Sequence, residues 1–126
     1  MIVGIGTDII EVDRIKKNIE AERGFVEKVY TKNEKEYCES KTNKAEHYAV
    51  RYAAKEAFFK ALGTGWRGGM AFNEIEVIND ALGKPDLIIK GETKVYLDKL
   101  GKVSIYITLS HVKLMAVAFV VIEKKD

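Results

Sequence analysis

Apolar and polar positions follow two rhythms along this chain. Ile2 to Ile10 is rich in Val and Ile and reads as a strand. From Glu11 to about Glu22 the spacing turns helical, with Val12, Ile15 and Ile19 on one side. Phe25, Val26 and Val29 suggest a further short turn of helix. Thr31 with Glu34 has the form of a capping box and opens a helix through Tyr37 and Cys38. Asn43 stands where it can cap a long helix from Lys44 to Leu62. There Ala45, Tyr48, Ala49, Tyr52 and Ala53 recur at three and four, and Gly63 ends the pattern.

The second half changes period. Ile75, Val77 and Asn79 alternate with Glu74, Glu76 and Ile78, which suits a strand. Leu82 to Asp86 is a turn, Leu87 to Lys90 a short returning strand, and Gly91 to Leu100 a short helix. Val103 to Ser110 and Lys113 to Glu123 are two strong strands joined at His111 as an antiparallel hairpin. Strands and helices do not alternate strictly, so the expected class is α+β, an antiparallel sheet packed against a long helix, rather than a doubly wound parallel sheet.

Composition narrows the class. With 126 residues, 47% hydrophobic and 32% charged, the chain fits one folded domain over residues 1–126. A net charge of +2 gives no reason to expect nucleic-acid binding. Its distribution says more: seven basic and four acidic residues lie between Arg14 and Lys35, a section suited to an acidic partner. Cys38 is the single cysteine, which excludes an intrachain disulfide and a cysteine-built zinc site and fits a reducing compartment. The longest apolar run, Leu114 to Ile122, is far short of the ~20 residues of a membrane span. No signal segment precedes it, so a soluble cytoplasmic protein is expected.

Several residues carry candidate chemistry. Asp8 shares a strand face with Ile2, Gly4, Gly6 and Ile10. The two glycines leave room for a ligand, a metal or a packed helix, and Asp8 also reads as a cap for the next helix. Glu56 and Lys60 lie one turn apart among Ala53, Ala54, Ala57, Phe58, Phe59, Ala61 and Leu62. That pair is either an ordinary salt bridge worth ~0.3–0.5 kcal/mol or part of a covered phosphate site. Gly63, Gly65, Gly68 and Gly69 follow the C-terminus of that helix, the wrong end for a P-loop, so any phosphate there falls to Lys60, Arg67 or backbone N–H groups. The same glycines also read as a helix stop and a loop. His111 at the bend is either a surface histidine or a phosphate or ribose contact. On the first helix, Asp13 with Lys17 and Lys16 with Glu20 make i, i+4 pairs, while Arg14 and Lys17 offer a basic spot.

Four segments in order resemble one family, the holo-acyl-carrier-protein synthases. They are GIGTDIIEVDRI, FVEKVYTKNEKEYCESK, RYAAKEAFFKALGTG and LSHVKLMAVAFVVIE, with a turn, LGKPDL, like the family's Gly-Lys-Pro turn. The resemblance implies a 4′-phosphopantetheinyl transferase fold. It implies transfer of the phosphopantetheine arm of coenzyme A to a serine of apo acyl carrier protein, with release of adenosine 3′,5′-bisphosphate, in fatty acid biosynthesis. It also assigns roles. Asp8 and Glu56 hold Mg²⁺, an ion that takes one or two carboxylates plus phosphates. Glu56 accepts the serine proton through a water, with the carrier's own acid as rival, and Lys60 meets the pyrophosphate. His111 meets a phosphate of the coenzyme, and Arg51, Gly63, Lys84 and Pro85 meet its nucleotide end. Arg14, with Lys17 and Arg23, meets the acidic carrier. Short members of the family form homotrimers with active sites between subunits. The low polar alternation of Met115 to Ile122 agrees with a covered sheet, though a helix of the same chain also accounts for it. Two other readings are a non-catalytic module that binds carrier protein or nucleotide, and a small metal-dependent phosphohydrolase.

Overall fold

The computed structural model describes residues 1–64 and 69–125. Its elements follow the order β1 (Ile2–Glu11), α1 (Val12–Glu20), α2 (Phe25–Val29), α3 (Lys32–Glu39), α4 (Lys44–Leu62), a 3₁₀ turn (Phe72–Glu74), β2 (Ile75–Asn79), β3 (Pro85–Ile89), α5 (Gly91–Asp98), β4 (Val103–His111) and β5 (Met115–Lys124). The class is α+β, as expected. The strands form two antiparallel sheets rather than one: a three-stranded sheet in the order β1-β5-β4 and a separate hairpin of β2 and β3. No helix among the described residues is long and apolar enough to cross a membrane.

Helix α4 is the centre of the molecule. Its bounds match the sequence pattern, and Gly63 closes it in the left-handed region at φ +85° with nothing near the position a Cβ would take. That glycine is there for backbone conformation, not for space. Asn43 makes no side-chain cap to the helix backbone, contrary to expectation. The helix is also covered on more than one face. Ala53, Ala57 and Phe58 are buried, but so are Val50, Ala54, Lys55, Phe59 and Leu62, because β1, β5, α1, α3 and β2 surround it.

The contact with β1 is unusually close. A Cβ on Gly4 would fall 1.7 Å from the carbonyl oxygen of Ala61, and one on Gly6 would fall 1.9 Å from that of Ala57. The space beside Asp8 is therefore filled by the helix backbone, one of the three occupants the sequence allowed.

In the larger sheet β5 is central. Gly4, Gly6, Asp8 and Ile10 lie opposite Ile122, Val120, Ala118 and Ala116, and this row faces α4. The other face carries Ile5, Ile9 and Phe119, which are 56%, 64% and 42% exposed, with Tyr106 beside them. So the apolar β5 strand is covered by the chain's own helix on one side and bare on the other. His111 is not the hairpin bend itself. It pairs with Ala116 as the last residue of β4, and the bend falls after it, closed by Val112 N donating to Met115 O at 2.9 Å.

A buried ionic cluster ties the remaining elements to α4. Lys55 and Glu34 have fully covered side chains in contact at 2.7 Å. Lys55 also donates to the carbonyls of Phe72 and Ile75, and Glu34 accepts from the amides of Thr31 and Val77. The expected capping box is present, since Glu34 N donates back to Thr31. Every proton of the ammonium has an acceptor, the condition under which a buried charge is tolerated. The same bonds fix Phe72, where the chain returns to the side of α4.

Candidate functional site

Asp8 sits in mid-strand, opposite Ala118, with its carboxylate mostly covered. It does not cap α1, because β1 continues through Glu11 before the helix starts. Its partner is Lys60. The ammonium lies 3.1 Å from Asp8 Oδ1 and donates to the carbonyl of Thr7 at 2.9 Å. The i, i+4 salt bridge between Glu56 and Lys60 therefore does not form. The lysine reaches across to β1 because two glycines bring strand and helix together.

Glu56 is held from its own helix instead. Tyr52, one turn earlier, donates its hydroxyl to Glu56 Oε1 at 3.1 Å. The Tyr52 ring is stacked on Phe72 at 5.7 Å, and Phe72 is the residue whose carbonyl Lys55 anchors. Burial, followed by the charge of Glu56 and the bond to it, pushes the Tyr52 phenol up to about 12. The charges of Arg14 and Asp8 also reach that hydroxyl, Arg14 lowering its pKa and Asp8 raising it. Glu56 is thus bonded to that phenol, while Asp8, itself paired with Lys60, acts on it through its charge. Tyr52 was not among the sequence candidates, although its i, i+4 spacing from Glu56 is visible.

A second group lies toward the other end of α4. Arg51 is buried, not a free surface guanidinium. It donates to His47 O at 3.2 Å and Asn79 Oδ1 at 2.9 Å, and it lies over the Tyr37 ring at 4.2 Å. Its Nε is buried without a partner. His111 Nδ1 is 2.9 Å from Glu46 Oε1, and its ring packs edgewise against His47 at 5.0 Å. Tyr37, His47, Arg51, Asn79, Pro85 and His111 line a cleft of about 200 Å³. Lys84 is exposed on the β2–β3 turn and lines a neighbouring cleft with Pro85, Asp80 and Tyr106.

The hydrogen bond from His111, with a smaller one from Asn43, holds Glu46 below the usual carboxylate range against the opposing effect of burial. Burial, with Arg51, His111 and Lys41 adding to it, lowers the pKa of His47, so that ring is neutral at pH 7. The Glu46–His111 contact spans 65 positions and left no mark on local spacing.

The two groups are apart within one chain. Asp8 is on β1 and His111 on β4, the two outer strands, with β5 between them. Arg51 and Glu56 are five residues apart on α4 and so project about 140° apart around it. Gly63 terminates α4 near the first group, whereas Gly65, Arg67 and Gly68 lie outside the described residues. On α1, Lys17 is paired with Asp13 at 2.9 Å, as expected, but Lys16 and Glu20 form no pair. Arg14 and Arg23 are exposed.

Asp8 and Glu56 are oxygen donors of the kind a hard cation takes, and an ammonium stands next to them. That donor set suits a divalent ion shared with a phosphate.

Comparison with known proteins shows the family. A model of the 4′-phosphopantetheinyl transferase superfamily matches residues 4–114. A holo-[acyl-carrier-protein] synthase of Ruminiclostridium cellulolyticum is 53% identical over 124 residues, 97% of this chain and 92% of that protein. One of Geotalea daltonii is 43% identical over 98% of this chain and 100% of its own length. Among solved structures, a holo-(acyl-carrier-protein) synthase from Bacillus anthracis in complex with CoA (3′,5′-ADP) superposes with a TM-score of 0.82 at 41% identity, covering 99% of both chains. The enzyme from Neisseria meningitidis gives 0.88 at 37% identity, covering 98% of this chain and 100% of that one.

Proposed function

Because the chain belongs to the 4′-phosphopantetheinyl transferase superfamily, we propose that it moves the 4′-phosphopantetheine arm of coenzyme A onto a serine hydroxyl of an apo acyl carrier protein. The observation that carries this reading is the ion pair of Asp8 and Lys60 across the seam of β1 and α4, with Glu56 one turn before Lys60 on the same helix. The serine oxygen attacks the phosphorus that bears the pantetheine. The bond from that phosphorus to the nucleotide-side oxygen breaks, and adenosine 3′,5′-bisphosphate leaves.

Asp8 and Glu56 are the residues to hold a Mg²⁺ ion. Such an ion, when bound, neutralises pyrophosphate charge and so favours attack by an oxygen nucleophile. Lys60 is half-exposed and free to turn from Asp8 to the pyrophosphate, where its charge stabilises the leaving group. Glu56 takes the serine proton through an intervening water. Tyr52, clamped by Phe72, keeps the Glu56 carboxylate from swinging away. Arg14, exposed on α1 and acting through its charge on Tyr52, offers a positive charge to an acidic carrier. Lys17 and Arg23 extend that surface.

Arg51, His111, Pro85, Lys84 and Gly63 serve the nucleotide end. Gly63 lies on the Asp8 side, whereas the separation of Arg51 and His111 from Asp8 in one chain supports a homotrimer whose sites lie between subunits. So does the bare apolar face of Ile5, Ile9 and Phe119, which needs a cover that the chain does not supply. A single domain over residues 1–126, cytoplasmic and serving fatty acid biosynthesis, completes the reading.

The decisive experiment is to incubate the protein with coenzyme A, Mg²⁺ and apo acyl carrier protein and to weigh the carrier. The expected result is a gain of one phosphopantetheine arm with release of adenosine 3′,5′-bisphosphate. A carrier of unchanged mass would overturn the assignment.

A further inference from the structure

Glu46 in the first turn of α4 and His111 at the end of β4 meet at 2.9 Å, and both side chains are mostly covered. A carboxylate only accepts hydrogen bonds, so the contacted Nδ1 carries its proton, and Nε2 is the ring nitrogen left for a ligand. The ring has little freedom, because His47 packs against it and Tyr37 packs in turn against His47 at 5.7 Å. Arg51 lines the same cleft, and its Nε is buried with no hydrogen-bond partner among the described residues. A guanidinium lining the cleft beside a clamped histidine suits an anion.

We propose that Glu46 is a positioning residue for the nucleotide end of the site, fixing the His111 ring so that Nε2, in the doubly protonated ring, donates to a phosphate oxygen of the coenzyme. The assignment rests on the phosphopantetheinyl transfer reading. A carboxylate in the first turn of α4 also favours the helix by itself, but that effect has no need of His111.

The test is a double-mutant cycle in the transfer assay, joined to nuclear magnetic resonance of the free protein. Glu46→Ala should raise the KM for coenzyme A roughly tenfold while changing kcat far less. His111→Ala should raise it comparably. In the double variant, KM should be no higher than in His111→Ala alone, because Glu46 then has nothing to position. Without coenzyme, the His111 ring nitrogens in the wild-type protein should show Nδ1 protonated.

Additive effects of the two substitutions would overturn the proposal, as would an unchanged KM in either single variant. So would an unprotonated Nδ1 in the wild type, a readout that needs no variant to fold. A wild-type protein that leaves the carrier's mass unchanged defeats the transfer reading itself. An active wild type with additive variants defeats only the role of Glu46.

Discussion

Lys60 of α4 and Asp8 of β1, 52 positions apart in sequence, form an ion pair at 3.1 Å. Asp8 is 17% exposed and Lys60 53%, so the lysine sits at the mouth of the site and the carboxylate inside it. An incoming pyrophosphate can therefore take the ammonium and leave the acid free for a cation.

Asp8→Ala should cut transfer by at least ~10²-fold, with Glu56→Ala behaving alike. Stability should change little, since a half-exposed pair is worth about 1 kcal/mol at most. Rates are read by the mass of the carrier and stability by thermal melting. Wild-type Mg²⁺-dependent rates in either variant would remove the acidic pair from the mechanism.

Lys60→Ala tests the leaving-group role. The expected result is a fall in kcat of ~10²-fold with coenzyme A affinity kept to within about threefold, by single-turnover kinetics and calorimetry. A normal kcat would leave the lysine no part in the chemistry.

Arg14→Glu places a negative charge where the acidic carrier should approach. The KM for carrier protein should rise roughly tenfold and that for coenzyme A should hardly move, with the difference shrinking in about 0.5 M salt. Equal changes in both constants would argue against docking on α1.

Phe119→Asp probes the bare sheet face. Sedimentation of the wild-type protein should give a trimer, and the variant should run as a monomer with transfer largely lost. A monomeric wild type of full activity would dismiss sites shared between subunits.

Acid stability should depend on Glu74. Burial works against its charge, but the Thr93 hydroxyl and the amides of Glu92, Thr93 and Ala71 outweigh that and hold it below the usual carboxylate range. A carboxylate lowered in the fold stabilises it above the unfolded value, about 4.3, and that contribution is lost as pH falls through the folded value. Unfolding free energy should therefore decline below pH ~4, and the decline should be shallower in Glu74→Gln. Identical curves for the two proteins would contradict this.

Local signals in the sequence were reliable where the physics is local. The Thr31–Glu34 capping box, the Gly63 stop and both bounds of α4 are settled by neighbours within a turn, and the structure has all three. Partners across elements were hidden. Spacing joined Lys60 to Glu56, but the close approach of β1 gave Lys60 a different acid. Nothing about Lys55 marked it as buried, because its acceptors come from α3 and from the segment Phe72–Ile75. The Asn43 cap does not form either. Division of the strands into two sheets was equally illegible, because alternation reveals a strand's faces but not its neighbour.

Two absent methyl groups act as the ruler of the reaction centre. With hydrogen at Gly4 and Gly6, the strand lies against the carbonyls of Ala61 and Ala57, and this seating brings the acid of one element within reach of the side chains of the other. An alanine in either place would prise the layers apart and widen the gap between Asp8 and Glu56 with every reacting group still in the sequence. Catalytic competence in this fold is thus exposed to changes at positions that carry no chemistry.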